Sequence, residues 1–159
     1  MTMAEEFLIA AGSKEEQYQA LVPQIDALLA GERDLIANMA NLAAVLKEQF
    51  DFFWIGFYLV RTDELVLGPF QGPLACTRIA KGKGVCGRAW EQQKTLIVPD
   101  VDAFPGHIAC SSLAKSEIVV PVVLEDEVIA VLDVDSEYLK HFDDVDAAYL
   151  AQIVNLLRT

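Results

Sequence analysis

Three thiols and three carboxylates in this chain have the types and spacing to do chemistry together. Cys110 lies in Gly106-His107-Ile108-Ala109-Cys110-Ser111-Ser112-Leu113-Ala114-Lys115-Ser116-Glu117, a loop of small residues whose sulfur can meet a ligand. Taken alone, such a thiol reads as a half-buried loop cysteine without a role. Its neighbours change that reading. Asp133 and Asp135 alternate along the strand-like Val131-Leu132-Asp133-Val134-Asp135, so both side chains point to one face. There they could hold a cation such as an ammonium group, receive protons, or lie at the wet end of the strand. Glu117 opens the neighbouring strand of the same hairpin, so the three acids converge at one end of a sheet beside the loop thiol.

The other two cysteines, Cys76 and Cys86, fall in the same irregular middle of the chain as Cys110. An odd number of thiols argues against a structural disulfide framework, and redox work is the more natural reading. Their spacing matches no common zinc pattern, even with His107 added, and no metal is assigned. Gly82-Lys83-Gly84-Val85-Cys86-Gly87 has the letters of a dinucleotide fingerprint. It lacks the strand before it and the βαβ context that the motif needs. Those glycines instead shape a tight loop into a helix near Cys86, and a helix N-terminus there would favour the thiolate. Aromatic faces at Trp54 and Tyr58 could pack against an apolar or cationic group, and glycine loops could donate N–H groups to a carboxylate. Acids, aromatics and N–H donors together are what a zwitterionic amino acid requires, and a thiol beside them suggests redox chemistry on that ligand.

Composition narrows the partners. The chain has 159 residues, 53% of them hydrophobic, which fits one compact domain with a core of its own. A net charge of −12 repels phosphate backbones and anionic lipid, so nucleic acid and membrane surfaces are not expected partners. The longest apolar run, Phe52 to Val60, is strand length, far short of a membrane span. Met1 to Ala11 lacks the basic flank of a secretory signal, which makes the cytoplasm the expected location.

The elements that must position these groups follow from periodicity. Ser13 and Glu16 form a capping-box pattern, and Tyr18, Leu21, Val22, Ile25, Leu28 and Leu29 recur at helical spacing, predicting a helix over 14–30 that Pro23 could kink or split. Leu35, Ile36, Met39, Leu42, Ala43, Val45 and Leu46 predict a second, ending near Phe50. The period then changes to two. Phe52 to Val60 reads as a strand with Trp54, Gly56 and Tyr58 on one face and Phe53, Ile55, Phe57 and Leu59 on the other. Leu65–Gln71 pairs back as a hairpin after the turn Arg61-Thr62-Asp63-Glu64. A helix over Val85–Gln92 and a short strand over Thr95–Val98 interrupt the middle. Ser116–Leu124 and Val128–Asp135 form a second hairpin around Glu125-Asp126-Glu127, and a last helix opens at Phe142-Asp143-Asp144-Val145-Asp146. The order predicts an α+β fold: a largely antiparallel central sheet with helices on one face and long loops over the other.

The motifs Gly82–Gly87, Val98-Pro99-Asp100-Val101, Gly106–Cys110, Ser116-Glu117-Ile118-Val119-Val120-Pro121 and Val131-Leu132-Asp133-Val134-Asp135-Ser136 together resemble the free methionine-(R)-sulfoxide reductase family. The resemblance runs from the first helices to the last and implies a single GAF-like domain over 1–159, reducing free methionine-(R)-sulfoxide in the cytoplasm. It implies that Cys110 attacks the sulfoxide sulfur and becomes a sulfenic acid. Cys86 and Cys76 are both candidates to close a disulfide with it, and Cys86 and Cys110 could exchange roles. Glu117, Asp133 and Asp135 would bind the amino group and help protonate the sulfoxide oxygen, with Trp54 and Tyr58 at the methyl-sulfur end. No bound cofactor is implied; thioredoxin would restore the thiols, drawing on NADPH indirectly, and the protein would be a homodimer through its helices. Family members often carry an acid directly after the equivalent of Cys110, where this chain has Ser111, a difference that bears on tuning of the thiolate. The alternative is a GAF sensor that binds a small molecule or responds to oxidants without turnover. Such sensors usually come attached to an output module, for which 159 residues leave no room.

Overall fold

The structure is a computed structural model that describes residues 6–108 and 110–157. The first residues of the leader reading, Ala109 of the cysteine loop, and residues 158–159 lie outside the described residues.

Alternating strands build one six-stranded sheet. In chain order the elements are α1 (Lys14–Ala30), α2 (Leu35–Phe50), β1 (Trp54–Arg61), β2 (Glu64–Gln71), β3 (Arg78–Ala80), α3 (Gly84–Gln92), β4 (Leu96–Val98), a 3-10 turn (Val101–Ala103), β5 (Ser116–Leu124), β6 (Glu127–Ser136) and α4 (Asp144–Val154). The strands lie in the order β3-β2-β1-β6-β5-β4. Each adjacent pair is antiparallel. Two long hairpins therefore meet at β1 and β6, and a short strand trims each edge. β3 has only three residues, too few to show a period, and its pairing with β2 rests on the neighbouring strand.

Helix α1 begins with the capping box that Ser13 and Glu16 announce, the serine side chain accepting from the Glu16 N–H. Pro23 does not split it. It stands on the exposed side of one continuous helix, where water can meet the backbone group it leaves without a partner.

The period of two divides the apolar residues between two layers. Ile55, Phe57, Leu59, Ile118, Val120, Val122, Ala130, Leu132 and Val134 face α1, α2 and α4 and form the larger core. Trp54, Tyr58, Val119 and Val131 face the other way, against Val85, Cys86, Ala89 and Trp90 of α3. Two expectations are corrected here. The second face is covered by a helix as well as loops. Phe53, placed by alternation with Ile55, instead joins the Trp54 side, because it precedes the strand in a bend where alternation does not hold.

Close approach of α3 to the sheet edge needs Gly87. A Cβ there would stand 2.5 Å from the Ala80 carbonyl oxygen. The helix can sit this near β3 only because that position has no side chain.

Tyr18 of α1 donates to Asp146 Oδ1 of α4 at 2.6 Å, and Lys14 reaches Asp146 Oδ2 at 2.7 Å. These bonds pin the first helix to the last across the back of the sheet.

Candidate active site

The sheet register assembles the acids. Glu117 of β5 pairs directly with Asp135 of β6, which pairs in turn with Trp54 of β1. One row across the sheet thus carries two carboxylates and an indole, and Asp133 opposite Gly56 stands in the next row on that face. Trp54, Tyr58, Cys86, Cys110, Glu117, Asp133 and Asp135, all singled out from the sequence, line one cavity of about 50 Å³. Cys76 is not in its wall. It joins the site through a disulfide to Cys110, with Cα atoms 5.6 Å apart.

Glycines make room for the aromatic wall. A Cβ on Gly56 would lie 2.7 Å from Trp54 Cη2 and 2.4 Å from Phe70 Cβ, and one on Gly72 would lie 2.7 Å from Trp54 Cδ1. The indole stacks between Phe70 and Tyr58, at centroid distances of 5.3 and 5.9 Å, and donates from Nε1 to the Pro73 carbonyl at 3.0 Å. Tyr58 donates its hydroxyl to the Cys76 carbonyl at 2.8 Å. Both rings are thereby fixed in place before any ligand arrives.

Burial dominates the electrostatics. Desolvation, and then the charge of Asp133 and Asp135, pushes Glu117 well above the usual carboxylate range. Asp135 is raised likewise, by burial and then by Asp133. Burial also raises Asp133, although donors on Glu117 and Cys86 and the charge of His107 pull it partly back. The cluster therefore keeps its protons to higher pH than isolated carboxylates would. Asp133 Oδ1 is buried with no hydrogen-bond partner among the described residues, an acceptor aimed at whatever enters the cavity.

Cys86 departs from expectation. It does lie in the first turn of α3, but it is 4% exposed. Burial, followed by the negative charges of Asp133, Glu117 and Asp135, drives its thiol well above the ordinary value. Desolvation outweighs the helix N-terminus, so the thiolate is disfavoured. It is also the free thiol, which leaves Cys76 as the partner that geometry gives Cys110. Cys110 itself is exposed at the cavity mouth, not half-buried. The sulfur of Cys86 and carboxylate oxygens of Glu117 and Asp133 lie within 4.8 Å of one another, a grouping that would admit an ammonium group or a metal ion. No metal is assigned to it.

Two ionisable cavity residues escaped the sequence reading as ligand contacts. His107 lies with Nε2 3.7 Å from Glu117 Oε1. Lys83, just before α3, also lines the cavity. The signal for His107 was its place three residues before Cys110. The N-terminus of α3 has no side-chain cap, so its first N–H groups, on Gly84 and Val85 at the cavity wall, are free to meet a carboxylate.

Comparison with known proteins agrees with this architecture. A GAF domain model matches residues 30–158. GAF domain-containing protein A of Dictyostelium discoideum is 66% identical over 156 residues, covering 98% of this chain and 99% of the relative. The free methionine-R-sulfoxide reductase of Escherichia coli is 46% identical over 143 residues, 89% of this chain and 87% of that enzyme. A free methionine-R-sulfoxide reductase from Neisseria meningitidis, solved in complex with its substrate, superposes with a TM-score of 0.95 at 55% identity, covering 98% of this chain and 93% of that one. With its antiparallel sheet, its acid-lined cavity and these relatives, the chain belongs to the GAF-domain family, among the members that include the free methionine-R-sulfoxide reductases.

Proposed function

We propose that this protein reduces free methionine-(R)-sulfoxide to methionine. The observation that carries the reading is the exposed Cys110, bonded to Cys76, at the mouth of a cavity whose floor is a buried, proton-holding cluster of Glu117, Asp133 and Asp135. The amino group of the ligand lies among the acids, its carboxylate at the N-terminus of α3, and its methyl-sulfur end against Trp54 and Tyr58.

The chemistry follows from the protonation states. Sulfoxide oxygen is a poor leaving group until it is protonated, and the cluster supplies that proton. The Cys110 thiolate attacks the sulfoxide sulfur, the oxygen passes to Cys110 as a sulfenic acid, and methionine leaves with its sulfur reduced. The Cys76 thiol then displaces water from the sulfenic acid, and the disulfide forms. An external dithiol of the thioredoxin class, oxidised in turn, restores both thiols by exchange. Cys86 stays outside this redox cycle as a protonated wall residue. The active unit is a homodimer formed through the helices, working in the cytoplasm.

The test is a coupled assay with the free R sulfoxide, thioredoxin, its reductase and NADPH. NADPH consumption is expected, and Cys110→Ser is expected to end it. In Cys76→Ser, one equivalent of methionine should appear and a sulfenic acid should accumulate on Cys110. Intact turnover in Cys110→Ser would overturn the nucleophile. A tightly held nucleotide or chromophore without any sulfoxide turnover would favour a sensor instead.

A further inference from the structure

We propose that His107 relays a proton from the Cys110 thiol to Glu117, resetting the buried acid cluster after each turnover. The inference rests on the sulfoxide-reduction reading and concerns a step that reading leaves open. The cluster gives one proton to the sulfoxide oxygen in every cycle. Reduction of the disulfide returns Cys110 as a thiol, which must lose one proton before it can attack again. The proton lost at Cys110 is the one the cluster needs, and the two places belong to the same cavity.

His107 lines the same cavity as both groups. Its Nε2 is 3.7 Å from Glu117 Oε1, with its side chain 15% exposed against 7% for Glu117. It precedes Cys110 by three residues in a loop tightened by two short-range bonds, from the His107 N–H to the Phe104 carbonyl and from the Cys110 N–H to the Ile108 carbonyl. The sequence contains one other histidine, and His141 is held by Ser136 on the far side of the sheet. The charged and titratable groups that line the cavity with His107 are Tyr58 on β1, Glu117 on β5, Asp133 and Asp135 on β6, Cys86 on α3, Lys83 before that helix, and Cys110 on its own loop. An imidazole accepts a proton at one nitrogen while releasing one from the other, so it connects the wet thiol to the dry acid without a net change in its own charge. The step moves one proton from Cys110 Sγ to the ring and one from the ring to the Glu117 carboxylate. No electron changes hands.

Two measurements on His107→Asn test the relay. The first is the pH profile of Cys110 alkylation by iodoacetamide in a Cys76→Ser background, without sulfoxide. The midpoint should move to higher pH than with His107 present. The second is methionine release by the reduced protein on rapid mixing with the sulfoxide. That rate should fall on the order of 100-fold, with half-saturation by sulfoxide unchanged and part of the rate restored by imidazole in the buffer. An unchanged alkylation profile, or a loss confined to sulfoxide affinity, would overturn the relay. If the alkylation midpoint moves but protein with His107 in place shows no turnover, the His107–Cys110 coupling stands and the sulfoxide-reduction reading fails.

Discussion

Tyr58 ties the aromatic wall of the cavity to the redox loop, because its hydroxyl donates to the backbone carbonyl of Cys76. Strand β1 is paired on both sides and the loop carrying Cys76 is not part of any helix or strand, so this bond ties the backbone of the resolving thiol to the sheet. Replacing Tyr58 by Phe removes a bond worth about 1 kcal/mol and leaves the ring in place. We expect a several-fold slower disulfide closure after the sulfenic acid forms, with first-turnover methionine release affected less. Quenched-flow detection of free thiols checks it.

The acid cluster should cost stability at neutral pH. Glu117 and Asp135 are raised by burial in the folded state, so between their ordinary range and the raised one the folded protein binds more protons than the unfolded chain. Their stabilising contribution is complete below the ordinary carboxylate range and is lost as pH rises through the raised values. Glu117→Gln and Asp135→Asn should therefore each gain roughly 0.5–2 kcal/mol at pH 7–8 and little near pH 4, while losing activity. Thermal melts at both pH values test the sign.

Gly87→Ala should be destabilising through backbone contact. The new Cβ would meet the Ala80 carbonyl at 2.5 Å, and α3 must move away from β3. A loss of about 1–3 kcal/mol is expected, with Cys86 becoming reactive to a thiol reagent in the folded protein.

Asp146→Asn weakens the clasp between α1 and α4. Asp146 is buried and receives both Tyr18 and Lys14, so a neutral amide leaves the ammonium only the more exposed carboxylate of Asp143, at 3.3 Å. About 2–4 kcal/mol should be lost in urea unfolding, with kcat little changed because the clasp lies behind the sheet.

The Cys76–Cys110 bond closes a loop over a separation of 34 residues. Cross-linking a loop of that size stabilises by roughly 3–4 kcal/mol. Oxidised protein should melt several degrees above the reduced form, a difference that Cys76→Ser abolishes.

Much of this was readable from local pattern. The Ser13–Glu16 cap, the helical spacing of α2 and the alternation of β1, β5 and β6 are each encoded within a few residues, and alternation alone put Asp133 and Asp135 on one face. What local pattern could not supply depended on neighbours far along the chain. Arg78–Ala80 is a strand only because β2 lies beside it. Phe53 takes the side dictated by a bend, not by the strand it precedes. The choice between Cys76 and Cys86 turned on loop closure and on burial under α3. For Cys86 the helix start was read correctly and the solvent exposure was not, which reversed the expected tendency of the thiol.

The sheet's two faces answer to different demands. The face toward α1, α2 and α4 carries apolar side chains whose only duty is to pack, whereas the face toward α3 carries indole, phenol and carboxylates that are expensive to bury. Because adjacent positions on a strand point opposite ways, a lineage can exchange every second residue of β1, β5 and β6 to suit another small molecule and leave the supporting layer unaltered. The backbone then serves as a chassis, and ligand preference can drift without renegotiating the fold.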